Sequence, residues 1–262
     1  MYPDHFSELI AELSSFPEVD AIALGGSRAA GTHDDQSDYD VYVYLNQSLA
    51  LDKRQQLATH HCQSMELNNT YWETEDDGIL KNGLHLDLIY RRLVDLDAAL
   101  SHTLADCQPG NSYTTCLWHN LLLSTILFDR KGSYRELQQR FSIPYPEKLR
   151  ERIIERSRNL LQGRLPSFYE QIQKAVERQD LVSVNHRVAE FLASYFDLVL
   201  AYNRKPHPGE KRLIAFVLRE CPAYPANFQS DLEAVIRGVG QADQRLIESL
   251  DRLLLHLDAF IA

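Results

Sequence analysis

The apolar residues of this chain change their period once, near Pro146, and that change limits its architecture more than any other feature. Ahead of it, short apolar runs bounded by turn signals alternate with helical stretches. Behind it, helical periods continue with almost no strand signal, broken at Gly163, Pro166, the turn "KPHPG" at 205–209, Pro222 and Pro225. The pattern predicts an α+β protein of two domains, sheet-bearing over 1–142 and helical over 143–262, with no linker longer than a few residues.

Within the first domain, Phe6, Leu9, Ile10 and Leu13 have helical spacing, and Pro17 closes that helix. "VDAIALGG" reads as a buried strand. "SDYDVYVYL" reads as another, with Val41 and Val43 on one face and Asp38, Asp40 and Tyr42 on the other. A helix is expected over 50–62. Asn82-Gly83 between two apolar stretches predicts a type I′ hairpin that adds two strands to the same sheet. Helices near 93–104 and 113–123, then a short strand in "TILFDRKG", complete the domain.

With 44% hydrophobic residues in 262, the chain has ample material for a core. It has no run of 18 apolar residues. Asp4, Glu8 and Glu12 stand where a signal peptide would be basic and then apolar, so a soluble, cytoplasmic protein without a membrane partner is expected. The four cysteines show neither CxxC spacing nor a histidine cluster, which argues against a disulfide framework and a zinc site and fits a reducing compartment. A net charge of -10 argues against a nucleic-acid partner, which needs clustered cations. It suits a cationic substrate, and equally an ordinary acidic cytoplasmic protein. Oligomeric state does not follow from the sequence.

Chemistry concentrates in "LGGSRAAGTHDDQSDYDVYVY", residues 24–44. On a strand, residues two apart point the same way about 7 Å apart, so Asp38 and Asp40 aim two carboxylates into one small volume. Hard oxygen donors so placed suit Mg²⁺, although a bare D-x-D is also an ordinary solvated strand face. The Gly25-Gly26-Ser27 turn directly after a strand lets backbone N–H groups approach an anion. It matches neither the dinucleotide fingerprint nor the P-loop, so alone it is only a turn. Asp87 is the third element: it interrupts the apolar run "GLHLDLIYR", where a lone carboxylate is costly unless a cation meets it. Three carboxylates beside a phosphate cradle fit two-metal phosphoryl transfer.

Gly25-Gly26-Ser27, then Asp38-x-Asp40, then Asp87 on a later strand resembles the signature of the DNA polymerase beta-type nucleotidyltransferase superfamily over about residues 18–92. "GGSRAAGTHDDQSDYDVYV" is similar to its small bacterial members, among them aminoglycoside and lincosamide nucleotidyltransferases. "YWETEDDGILKNGLHLDLIYR" and "YFDLVLAYNRKPHPGEKRL" resemble bacterial nucleotidyltransferases with a DUF4037 C-terminal domain, which extends the likeness over nearly the whole chain. The resemblance implies a mixed-sheet catalytic domain followed by a helical bundle. It implies that Gly26 and Ser27 hold a nucleoside triphosphate, that Asp38 and Asp40 bind metal, and that Asp87 binds metal or takes a proton from the acceptor hydroxyl. Arg28 follows the serine, where it can neutralise phosphate or pair with Asp34 or Asp35.

Residues 181–203 read as a central helix, apolar almost all round, with His186, Glu190 and Asp197 along one stripe. Glu190 there is a candidate general base, or simply a surface residue. Lys211 and Arg212 follow the 205–209 turn, with Pro208 suited to the first turn of the next helix. Both are candidates for the triphosphate tail, and both equally fit a solvated helix start. "YWETEDD" reads as a surface acidic loop or the wall of a pocket for a cation, while His60, His61, His85 and His119 share no spacing and read as structural. The expectation is therefore an Mg²⁺-dependent enzyme moving a nucleoside monophosphate, AMP from ATP or the counterpart from another NTP, onto a small-molecule hydroxyl. An antibiotic and a housekeeping metabolite are both open as acceptor. A protein AMP-transferase, an antitoxin-type member and a non-catalytic nucleotide-binding module are the alternatives. The presence of Ser27, Asp38, Asp40 and Asp87 together argues against the last.

Overall fold

The computed structural model describes residues 4–31, 34 and 37–262; Asp35, one of the two partners expected for Arg28, lies outside them. The chain forms two compact units, 1–101 with 120–143, and 102–119 with 144–262.

The first unit holds α1 (Asp4–Ser15), β1 (Val19–Leu24), α2 (Gly26–Ala29), β2 (Tyr39–Leu45), α3 (Leu51–His61), β3 (Cys62–Asn69), β4 (Thr74–Leu80), β5 (His85–Arg91) and α4 (Leu93–Leu100). After a π-helical turn at Ser101–Ala105 and α5 (Cys116–Leu123) come β6 (Thr125–Asp129) and α6 (Ser133–Arg140). The described strands make one mixed sheet in the order β3-β4-β5-β2-β1-β6. All neighbours are antiparallel except β2 and β5, which are parallel. Phe6, Leu9 and Leu13 of α1 and Leu57 of α3 join Val41, Val43, Leu86 and Leu88 in one buried core. That core takes one face of each strand, so alternation sends Asp40 and Asp87 to the other face.

Within the helix-covered core lies a buried polar knot. Asp76 is fully buried and accepts from Arg54 Nη1 at 2.8 Å, the Asn68 N–H at 2.7 Å and the Tyr90 hydroxyl at 2.8 Å. Both carboxylate oxygens are hydrogen-bonded, as burial of the group requires.

The second unit contains α7 (Glu147–Arg158), a π-helical turn at Asn159–Gly163, α8 (Phe168–Glu177), α9 (Leu181–Tyr202), α10 (Leu213–Glu220), α11 (Phe228–Gly238) and α12 (Gln244–Ile261). As expected, α9 is central: Phe191, Tyr195, Leu198 and Val199 are buried with Leu246, Leu250 and Leu253 of α12. Residues 102–119 belong here and not to the sheet domain expected to end at 142, because polar ties fasten them. Thr114 donates its N–H and hydroxyl to Asp197, Ser194 donates to Asn111 O, and His207 N–H donates to Thr115 Oγ1. No helix among the described residues is long and apolar enough to cross a membrane.

Four local expectations are corrected. Residue 62 opens β3 instead of closing a helix; β3 is a polar edge strand whose residues alternate only weakly in burial, so it leaves little apolar signature. The hairpin at Asn82-Gly83 is not type I′, which requires positive φ at both residues: Gly83 alone has it, at 87°. Leu80 and Leu84 close a three-residue loop, with the Gly83 N–H on Leu80 O. In "YWETEDD" only the first part is a turn, where Tyr71 and Trp72 are 85% and 86% exposed; Thr74 onward is β4. Pro208 is not in the first turn of α10, which begins at Leu213.

Candidate active site

β1 delivers the glycine turn to β2. The Gly25 N–H donates to Asp40 O at 2.8 Å, extending the strand pairing by one residue. Gly26 then takes φ +60°, and a Cβ there would lie 1.7 Å from Asp40 Oδ2; a Cβ on Gly25 would lie 2.4 Å from Tyr42 Cε2. The backbone is pressed against one expected metal ligand, and only residues without a Cβ fit. The chain passes at once into α2, which carries Ser27 and Arg28.

Parallel pairing of β2 with β5 makes Asp40 and Asp87 direct neighbours in register. In the antiparallel pairs beyond, Asp77 stands opposite Asp87 and Glu66 opposite Asp77. A row of four carboxylates, Glu66, Asp77, Asp87 and Asp40, thus crosses four adjacent strands on the face away from the α1/α3 core. Asp38 is exposed at the start of β2. Burial, then the charges of Asp77, Asp40, Asp38 and Glu75, push the Asp87 carboxyl up to about 6. Hard oxygen donors on one side of a sheet, with the backbone close by, fit a divalent cation.

Arg28 serves the loop. Its Nε donates to Ser37 O at 2.9 Å and Asp38 O at 3.1 Å, Nη2 donates to Ser37 O at 2.6 Å, and the guanidinium lies 4.0 Å over the Tyr39 ring. It therefore positions the backbone that presents Asp38. Further along β5, Arg91 pairs two-pronged with Glu73, at 2.6 Å for Nε, and lies 4.3 Å over the Tyr42 ring. The Tyr42 hydroxyl accepts from Asn120 at 2.7 Å.

Sequence reasoning missed Asp77 as a member of the row. Counting the hairpin register from Asn82-Gly83 was the available signal, and it depends on the loop type.

The remaining expected residues lie in the second unit. Glu190 and His186 are exposed on α9, whereas Asp197 is buried and held by Thr114, so the three do not form one functional stripe. Burial pushes Asp197 up to about 6, against the pull of its Thr114 hydrogen bonds. Lys211 and Arg212 are exposed, Arg212 with left-handed backbone just ahead of α10. Arg212 also borders a largely apolar cleft of about 720 Å³ lined by Tyr113, Leu192, Phe196, Leu213 and Ile236.

Residues 7–76 match the family described as "Polymerase beta, Nucleotidyltransferase", and residues 114–213 match "Domain of unknown function (DUF4037)". The chain therefore carries a polymerase beta-type nucleotidyltransferase domain joined to a DUF4037 region. No curated protein matches it in sequence. Among solved structures, a nucleotidyltransferase-like protein from Exiguobacterium sibiricum is 14% identical, with a TM-score of 0.43, covering 95% of this chain and 72% of its own. The Thermotoga maritima CCA-adding enzyme complexed with tRNA is 15% identical with a TM-score of 0.33, covering 91% of this chain and 58% of its own. An aminoglycoside 6-adenyltransferase from Bacillus subtilis is 9% identical with a TM-score of 0.28, covering 98% and 93%. Similarity this distant establishes no residue correspondence.

Proposed function

We propose that the protein is an Mg²⁺-dependent nucleotidyltransferase that moves AMP from ATP onto a hydroxyl of a small molecule. The observation that carries this reading is the register of Asp40 beside Asp87, with the Gly25-Gly26 backbone pressed against Asp40. Asp38 and Asp40 would hold the metal, which when bound supplies charge neutralisation on the triphosphate. The Gly26 and Ser27 backbone would face the phosphates, and Arg28 keeps Asp38 in place. Asp87, whose carboxyl burial and the neighbouring carboxylates push up to about 6, would take the proton of the acceptor hydroxyl. The acceptor oxygen forms its bond to the α-phosphorus as the bond to pyrophosphate breaks, and pyrophosphate leaves with the electron pair. Lys211 and Arg212, exposed on the second unit, are assigned no step. Glu190 is assigned no step, since the support for it was the stripe that Asp197 leaves. The acidic row favours a cationic acceptor, a class that includes aminoglycoside-like antibiotics.

The test is incubation with labelled ATP, Mg²⁺ and a panel of aminoglycosides, lincosamides and cell extract, read by mass for an adenylyl adduct and by pyrophosphate release. Loss of both in Asp40→Asn supports the reading. Turnover undiminished in Asp40→Asn, or no adduct with any acceptor, overturns it.

A further inference from the structure

Behind the sheet, on the face opposite the acidic row, a second group of ligand-type side chains converges. Glu12 of α1 and the adjacent His60 and His61 at the end of α3 bring one ligand atom each within 4.8 Å of one another. His60 Nδ1 lies 3.1 Å from both Glu12 oxygens, and His61 Nε2 lies 2.8 Å from Glu12 Oε2. Consecutive residues of a regular helix would point their rings about 100° apart around the axis. Here α3 ends, the chain turns into β3, and the rings stand at 88° with different nitrogens facing the same carboxylate.

We propose that Glu12, His60 and His61 form a zinc site that ties α1 to the α3–β3 corner. Two imidazoles and a carboxylate select zinc over Mg²⁺ or Ca²⁺, which prefer oxygen-only sets. Ligand atoms about 2.0–2.1 Å from a tetrahedral zinc stand roughly 3.3 Å apart; the Glu12–His61 and Glu12–His60 separations of 2.8 and 3.1 Å lie just inside that spacing, and all three ligand atoms fall within 4.8 Å of one another. Both histidines occupy the last turn of α3, where the helix dipole favours a cation. His61 is buried while His60 is exposed, which leaves the fourth position open to water. His61 Nδ1 has no hydrogen-bond partner, so affinity falls below that of closed sites whose histidines are held by outer partners.

The experiment is titration of the untagged, metal-stripped full-length protein with Zn²⁺ by calorimetry, and with Co²⁺ by visible absorption. One equivalent of zinc, a raised melting temperature and the intense d–d bands of tetrahedral cobalt are expected. His60→Ala and Glu12→Gln should each weaken zinc at least ten-fold, while Asp38→Asn/Asp40→Asn should leave this binding unchanged. His60 is exposed, so its removal spares the core, and the cobalt spectrum of the unsubstituted protein needs no variant. Absence of zinc binding, octahedral cobalt bands, or equal affinity in His60→Ala overturns the proposal.

Discussion

Replacing Gly26 by alanine separates two effects that meet at one residue. The first is conformational: φ of +60° costs a non-glycine residue about 1–2 kcal/mol. The second is contact: a Cβ 1.7 Å from Asp40 Oδ2 forces that carboxylate away, and an off-rotamer side chain costs about 0.5–1.5 kcal/mol. Gly26→Ala should therefore destabilise by about 2–3 kcal/mol in the native background. With Asp40→Ala the carboxylate is gone, and the same substitution should cost only about 1–2 kcal/mol. Urea unfolding of the four proteins in this cycle, followed by circular dichroism, reads the difference. In the native background, pyrophosphate release should also fall about a hundred-fold, because the proposed reaction places Asp40 on the metal and displacing such a group by about 1 Å is enough. Equal destabilisation in both backgrounds would refute the contact, and undiminished release would refute its bearing on the site.

Asp87→Asn removes like-charge repulsion. The folded value, about 6, lies above the ordinary 3.8, so the folded protein binds this proton more tightly and the penalty is absent below about pH 4 and complete above about pH 6. The variant should melt higher than the parent at pH 7.5, show no gain at pH 4, and release no pyrophosphate; melting at the two pH values checks this. Arg54→Ala strands the fully buried Asp76 and should cost about 3–5 kcal/mol, read by thermal unfolding. Mg²⁺ with ATP at about a hundred times Kd should stabilise the protein by about 2.7 kcal/mol, and much less in Asp40→Asn, seen as a thermal shift.

The sequence by itself determined the strands that bear the site. Val41 and Val43 alternate with Asp38 and Asp40, and period-two alternation leaves no other way to bury the valines. It also determined where α9 lies, since a helix apolar almost all round must be central. Beyond the helices and strands with a clear apolar period, local pattern carried little. β3 was invisible because it buries little. The row was incomplete because the hairpin loop has three residues: a two-residue loop at Asn82-Gly83 would pair Gly78 with Asp87, whereas the observed register pairs Asp77 with it. That single step also sends Asp76 inward to Arg54 and Tyr90 and not onto the acidic face. Only tertiary structure decided it, through the packing of Asp76 and the pairing of β5 with β2. Long-range pairing likewise brought Glu12 to His60 and His61, 48 and 49 residues away, a distance over which sequence spacing says nothing.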